Sequence, residues 1–225
     1  PLTIGASMTL DLGTFSVRAS GTALTVNSGV TLTIEGSGRV YGEIANNGTL
    51  VLRGGIYAAD QIDIDWVAED RAIAYDSVDG LYTVSDDIGV TLTRGDRAYN
   101  FTNLVTPFNA GIAESGDTFV LQKDIAGGII LGENRNGKEY NIDMNGHDIS
   151  GAFILYAGTL NIVNNSAAKA VSTISNAQRI FQLLPAEGCV VKLTLGANID
   201  LMAGTEGVFI QTPITNDDIG NLDEL

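Results

Sequence analysis

The sequence has few of the residues that build disulfide-bonded, metal-binding or nucleic-acid-binding proteins. It contains one cysteine, one histidine and four prolines among 225 residues. The single cysteine, Cys189, excludes an internal disulfide, and the single histidine, His147, excludes a metal site made of several histidines. The chain has twelve basic and 27 acidic residues, which gives a net charge of −15. We therefore expect no nucleic-acid partner, which would need a basic surface.

Long apolar runs are also missing. No stretch approaches the roughly twenty apolar residues of a membrane span, and no signal peptide is present, so we expect no membrane insertion. Glycine, by contrast, is abundant, and its 27 residues are spread along the chain, which indicates many tight turns. The chain begins in strand pattern at Pro1, which favours a piece excised from a longer protein.

Short strands with apolar residues at every second position recur along the chain. Residues 8–12, 30–34 and 48–52 align at offsets of about twenty residues, which indicates a solenoid. Several short strands in each repeat predict a β-helix, in which a coil buries its inward face by stacking on the next coil. The inward pairs predicted to align in the second half are Ile142 and Met144, Leu160 and Ile162, and Leu193 and Leu195.

The predicted fold is all-β, with two consecutive β-helix modules. Residues 1–85 are the C-terminal part of a first module, which ends in an acidic cap and a hairpin at 54–85 with Trp66 as an apolar plug. Residues 86–225 are a second module that opens with a short helix at about 101–114. Thr102 is the predicted cap of this helix, and Pro107 must lie near its first turn.

Two stretches resemble a repeat found in surface proteins of gut Gram-positive bacteria. That repeat has a GDT-hydrophobic-LxKDI motif and a later DLNGHTI strand, which residues 116–125 and 143–147 match. A second element, which ends such modules, is matched by Gly54-Gly55, residues 66–68 and residues 79–84. The resemblance covers most of the chain. It implies a right-handed parallel β-helix of the pectate-lyase-like class, located outside the cell on the bacterial surface.

Two groups of residues are candidate binding sites. Tyr41, Tyr57 and Trp66 have rings that stack on sugars, although packing at the cap is the alternative role for them. A short carboxylate-rich segment supplies hard oxygen ligands for calcium, the one cofactor considered, and a solvated acidic surface is the alternative. The residues of this candidate calcium site are Asp60, Asp63, Asp65, Glu69 and Asp70.

Catalytic residues are not expected. His147 follows a turn and is assigned a structural hydrogen bond. Glycosidases need paired carboxylates, but the aligned neighbours of the outward-facing Asp11 and Asp143 carry none. Those neighbours are Thr33 and Val51 for Asp11, and Asn161 and Thr194 for Asp143. No cluster of basic residues that would bind the carboxylate of a uronate substrate is evident either.

The function that fits best is a non-catalytic segment of a bacterial cell-surface protein. It would project an adhesive surface of outward Thr and Asn side chains towards a glycan or a host protein. One alternative is a fragment of a carbohydrate-active enzyme, which outward carboxylates converging in the structure would favour. Another is the receptor-binding shaft of a phage tail fibre, which trimeric assembly would favour.

Overall fold

The computed structural model describes residues 1–168 and 171–211, and these form about nine turns of a parallel β-solenoid with little helix. The predicted all-β, parallel β-helix fold is therefore confirmed. The chain divides into two compact units, Pro1–Ala113 and Glu114–Leu225. The boundary thus follows Ala113, whereas the sequence placed it after residue 85. The end of the predicted second module, 212–225, lies outside the described residues.

The first unit begins with two parallel sets of strands. One set is β1, β3, β5 and β7, and the other is β2, β4 and β6. Alternating Leu, Ile and Val side chains point inward from both sets, and Leu24, Leu32, Ile34 and Leu52 are fully buried. The strands are β1 (Leu2–Ile4), β2 (Met8–Asp11), β3 (Ser16–Val26), β4 (Thr31–Glu35), β5 (Arg39–Asn46), β6 (Thr49–Leu52) and β7 (Gly55–Ala58).

A hairpin follows, as predicted, but it does not end the sheet. Its strands are β8 (Ala72–Asp76) and β9 (Leu81–Ser85), and β9 covers the edge of β7 in antiparallel pairing. β8 then pairs in parallel with β11 (Arg97–Phe101), which pairs antiparallel with β10 (Val90–Arg94). The prediction of a terminal cap is therefore wrong, because both edges of the hairpin carry further strands.

The predicted short helix exists as α1 (Val105–Asn109), with Pro107 in its first turn. It packs against β8, where the backbone N–H of Tyr75 donates to Thr106 Oγ1 at 3.3 Å. Asn103 Oδ1, not Thr102, accepts the Thr106 backbone N–H at 2.9 Å. These contacts join residues 86–113 to the hairpin and explain why the first unit extends beyond residue 85.

The connection between β7 and β8 contains two 3-10 segments, Ala59–Gln61 and Ile64–Trp66. Val67 forms a parallel bridge with Leu52, so this connection adds one more contact to the stack. Ile62 and Val67 are buried, whereas Trp66 is half-buried. The buried apolar residues of this connection are therefore Ile62 and Val67, rather than the predicted Trp66.

Within its described residues, the second unit is a regular stack of four coils with three strands in each. Equivalent strands pair in parallel, so β12, β15, β18 and β21 form one ladder, β13, β16, β19 and β22 a second, and β14, β17, β20 and β23 a third. The strands are β12 (Thr118–Leu121), β13 (Ile125–Ala126), β14 (Ile130–Leu131), β15 (Glu139–Asp143), β16 (Ile149–Ser150), β17 (Phe153–Leu155), β18 (Gly158–Val163), β19 (Ser172–Asn176), β20 (Phe181–Leu183), β21 (Val191–Leu195), β22 (Ile199–Ala203) and β23 (Val208–Ile210).

The interior of the second unit is filled by one large side chain above another. The rings of Phe153 and Phe181 stack with their centroids 5.1 Å apart, and Tyr140 pairs in register with Leu160. All four residues are fully buried. Because neighbouring coils place these side chains in register, burial of the apolar face holds the coils together.

Two predicted alignments are wrong by two residues. Met8 pairs with Leu32 rather than Val30, and Leu160 pairs with Tyr140 rather than Ile142. The alignments of 30–34 with 48–52, and of Leu160 and Ile162 with Leu193 and Leu195, are correct. A shift of two residues keeps every side chain on its own face, so hydrophobic alternation cannot detect it.

Side chains join the turns of the second unit. Asn145 adopts a left-handed conformation, with φ of 47°, and its Nδ2 donates to the carbonyl oxygen of Leu121 in the preceding coil at 3.1 Å. In the following coil, Asn164 Oδ1 accepts the backbone N–H of Gly146 at 2.9 Å. His147 lies in the same turn, where its backbone N–H donates to Met144 and its Nδ1 is 3.4 Å from Asp124 Oδ1. Asparagine side chains thus join the turns of three successive coils through bonds to the backbone.

Candidate functional site

The outward face of β12, β15, β18 and β21 carries a row of polar side chains, here called the outer ladder. Thr118, Asn141, Asn161 and Thr194 pair in register from one strand to the next. Asn161 Nδ2 donates to Asn141 Oδ1 at 3.0 Å, and Asn141 Nδ2 donates to the carbonyl oxygen of Asp117 at 3.3 Å. The amide groups are therefore held in fixed orientations before any ligand arrives.

A groove of about 380 Å³, here called the outer groove, runs beside this ladder. Glu139, Thr159 and Lys192 line it and pair in register on the same three strands, two positions before the members of the outer ladder. Glu139 Oε1 also accepts a hydrogen bond from Asn161 Nδ2 at 2.7 Å, which connects the groove to the ladder. A carboxylate, a hydroxyl and an ammonium group are thus displayed within one concave surface.

Asn136 builds the wall of the outer groove. Its Oδ1 accepts the backbone N–H of Val190 at 3.1 Å, and its Nδ2 donates to the carbonyl oxygen of Gly188 at 3.5 Å. Gly137 and Gly158 also line the groove. A side chain at Gly158 would meet the carbonyl oxygen of Arg135 at 2.7 Å, so glycine is needed where the coils approach.

The three aromatic candidates lie in different surroundings. Tyr57 is fully buried, and its hydroxyl donates to the carbonyl oxygen of Gly54 at 2.7 Å. Burial also raises the pKa of Tyr57, because water no longer stabilises the phenolate. The prediction that Tyr57 binds a ligand at the surface is therefore wrong.

Tyr41 is half-buried beneath two arginines. The guanidinium carbons of Arg18 and Arg39 lie 3.9 Å and 4.2 Å from the centroid of its ring. These distances are typical of cation–π contacts, so a stacking sugar would compete with the arginines for the ring. Trp66 is half-buried in its 3-10 segment, and its role in binding stays a prediction.

The acidic segment does not form the predicted calcium site. Asp63 Oδ1 accepts the backbone N–H of Asp65, Asp65 Oδ1 accepts the Tyr99 hydroxyl at 2.7 Å, and Asp70 Oδ2 accepts Arg53 Nη2 at 2.6 Å. Across residues 1–168 and 171–211, no three His, Cys, Asp or Glu side chains are grouped so that they could hold a metal ion. The calcium cluster predicted from the sequence is wrong, because three of its five carboxylates accept hydrogen bonds from separate protein donors. Its predicted members were Asp60, Asp63, Asp65, Glu69 and Asp70.

The hydrogen bond from Arg53 holds the pKa of Asp70 below its ordinary value of 3.8. Arg53 Nε also lies 3.7 Å from Glu35 Oε1, so one arginine serves two carboxylates on the outward face of the first unit. Exposed ion pairs of this kind contribute little stability, but they fix side-chain positions.

The alignment made from the sequence missed one pair of outward-facing carboxylates on adjacent strands. Asp11 pairs in register with Glu35, not with Thr33, and Asp143 pairs with Val163, not with Asn161. Because the predicted alignment of these strands was shifted by two residues, it did not place the carboxylates of Asp11 and Glu35 next to each other. By contrast, Thr159 and Lys192 were already adjacent in the correct alignment of β18 with β21, so this signal for the outer groove was present in the sequence.

No protein-family model, curated protein or solved structure matches this chain. The resemblance to surface proteins of gut bacteria therefore stays a prediction, and the function has to be argued from geometry. Within the described part of the chain, every helix falls short of the length and apolar character needed to cross a lipid bilayer.

Proposed function

We propose that the chain is a non-catalytic segment of an extracellular bacterial surface protein that binds a glycan through the outer groove and the outer ladder. The observation that carries this proposal is the register of Glu139, Thr159 and Lys192 beside Asn141 and Asn161. Sugar hydroxyls both donate and accept hydrogen bonds, and this surface offers both kinds of partner within one groove.

Pre-organisation supports the proposal. Asn161 is fixed by hydrogen bonds to Glu139 and Asn141, and Asn136 holds the backbone at Val190 in place. Side chains that are already fixed lose little conformational entropy when a ligand binds. This low entropic cost favours the binding of ligands such as sugars, which otherwise bind weakly. The net charge of −15 repels polyanions, so a neutral glycan is the expected partner.

The test is a panel of immobilised neutral glycans, mucins and host matrix proteins probed with the purified chain. We expect saturable binding to a neutral glycan, weakened roughly tenfold by Glu139→Gln and by Lys192→Ala, since each removes a charge-assisted hydrogen bond. Lys138→Ala is the matched control, because Lys138 is exposed next to Glu139 but does not line the groove. Binding to host protein alone, or binding that both groove variants leave intact, would reject this site.

The pairing of Asp11 with Glu35 favours a second candidate, a carbohydrate-active enzyme. These two carboxylates project outward from neighbouring parallel strands, whose backbones are about 4.8 Å apart, and glycosidases act through two carboxyl groups that flank the same glycosidic bond. Release of reducing sugar in the wells of the same panel, abolished by Asp11→Asn and by Glu35→Gln, would support this activity. Binding without released product would reject it.

Oligomeric state distinguishes this proposal from the alternative of a phage tail-fibre shaft. A phage tail fibre would assemble as a trimer, whereas a single-chain surface module would sediment as a monomer at the concentrations used for binding. Sedimentation velocity on the same preparation therefore distinguishes the two, and a trimer would favour the shaft.

A further inference from the structure

A second concave surface lies in the first unit, between the β6–β7 turn and the end of β9. This open cleft, of about 390 Å³, is here called the Arg71 cleft. Its volume falls within the range of small-molecule sites. The polar side chains that line it are Ser37, Arg53, Arg71, Thr83, Ser85 and Asp86.

Glycines create the floor of the Arg71 cleft. A Cβ atom at Gly36 would meet the backbone nitrogen of Gly13 at 2.5 Å, and one at Gly54 would collide with the carbonyl oxygen of Gly36. Successive coils therefore approach through bare backbone at this corner. The absence of side chains leaves a depression that the arginines and hydroxyls surround.

The two arginines of the cleft differ in their partners. Arg53 is paired, because its Nη2 binds Asp70 and its Nε lies near Glu35. Arg71 has a buried Nε without a hydrogen-bond partner among the described residues. This buried Nε is closed off from a ligand in the cleft, so the group that Arg71 offers to an external acceptor is the outer edge of its guanidinium, on the side that lines the cleft.

We propose that the Arg71 cleft binds the carboxylate of an acidic sugar. A carboxylate matches the planar donor fork of a guanidinium better than any neutral group. This site is separate from the outer groove and does not rest on the neutral-glycan proposal.

The other groups of the cleft select a sugar acid over a simple anion. Ser37 Oγ donates to the Gly13 carbonyl and keeps its lone pairs, while Ser85 Oγ accepts the Asp87 backbone N–H and keeps its proton to donate. Asp86 accepts hydrogen bonds from hydroxyl groups beside the bound carboxylate. Asp70 and Glu35 already neutralise Arg53, which leaves Arg71 as the cation for one carboxylate and no cation for a second.

The test is calorimetric titration of the full chain with glucuronate, glucose, acetate and N-acetylglutamate. We expect saturable binding of glucuronate, with glucose and acetate each at least roughly tenfold weaker. Arg71→Gln should weaken glucuronate binding roughly tenfold or more, and Arg71→Lys should weaken it less, because the charge remains but the planar fork is lost. Arg18→Gln is the control, since it also removes one arginine of the first unit but lies against Tyr41.

Thermal unfolding of each variant checks that it folds. A second variant, Asp86→Asn, keeps the argument testable if Arg71→Gln does not fold, because Asp86 is exposed. Asp86→Asn should lower the preference for glucuronate over acetate. The amide of asparagine accepts hydrogen bonds from sugar hydroxyls less strongly than the carboxylate does, and it no longer repels acetate. Equal affinity for acetate and glucuronate, stronger binding of N-acetylglutamate, unchanged binding in Arg71→Gln, or no binding at all would each overturn the proposal.

Discussion

The two units share close glycine contacts between coils but differ in the side chains that join their turns. A side chain at Gly36 or Gly54 in the first unit, or at Gly128 or Gly204 in the second, would collide with backbone atoms of a neighbouring coil. The first unit joins turns through serine, since Ser37 Oγ donates to the carbonyl oxygen of Gly13 and Ser7 Oγ accepts the backbone N–H of Thr31. The second unit joins them through asparagine, as Asn145 does to Leu121 and Asn164 to Gly146. The same backbone contact between coils is thus combined with two different kinds of side-chain hydrogen bond.

These shared glycine contacts have consequences for the surface of both units. Glycine brings coils close but leaves depressions, and glycines line both the Arg71 cleft of the first unit and the outer groove of the second. In the second unit, the regular register also aligns outward side chains into the outer ladder beside its groove. The concave sites therefore follow from the glycine contacts, and the polar row beside the outer groove follows from the register.

The largest effect is expected for Gly38→Ala. Its Cβ would collide with the carbonyl oxygen of Phe15 and lie 2.8 Å from Leu12 Cβ, and buried backbone cannot move aside. We expect a loss of about 3 kcal/mol or more in the free energy of unfolding, measured by urea denaturation. Gly21→Ala is the matched control, because an added Cβ there meets nothing within 4 Å. Equal effects of the two changes would show that close coil contact does not constrain the first unit.

A smaller effect is expected for Asn145→Ala in the second unit. Alanine would adopt the left-handed conformation unfavourably and would lose the bond to Leu121, so we expect a loss of about 1–3 kcal/mol in the free energy of unfolding. Asn145→Gly separates the two causes, since glycine accepts the positive φ and loses only the hydrogen bond. If the glycine variant were as unstable as the alanine variant, the side-chain bond would account for the whole effect.

The smallest effect concerns pH. Because Arg53 holds the pKa of Asp70 below its ordinary value of 3.8, the ion pair stabilises the folded chain above that pH. This contribution is lost as the pH falls below 3.8 through the lowered pKa of the folded state. Melting temperatures recorded between pH 7 and the acid transition should therefore converge for the wild type and Asp70→Asn at low pH. A difference that stayed constant across this range would contradict the assignment.

Alternation of apolar residues was enough to predict the fold, because inward and outward faces depend only on odd and even positions. It could not fix the register, which also depends on turn length. Met8 therefore lies beside Leu32, although an equally apolar alignment places it beside Val30. The pairing of Asp11 with Glu35 was missed for the same reason.

The candidate sites were harder to predict because their partners are distant in sequence. The sequence around Asp65 has the pattern of a calcium ligand, whereas in the fold the hydroxyl of Tyr99, 34 residues later, donates to this carboxylate. Tyr57 is different, since alternation alone does not decide between it and its apolar neighbour Ile56, and the structure buries Tyr57. The unpartnered Nε of Arg71 depends on tertiary packing alone, and no sequence pattern marks it.

The three parallel ladders of the second unit determine how it would carry mechanical load. Their interstrand hydrogen bonds run from coil to coil, so a pull along the stacking direction would stretch these bonds lengthwise. Each coil is held to the next by three ladders at once, which share the tension. Detaching one coil would require all three ladders to break together, so the stack would resist being opened from a single point.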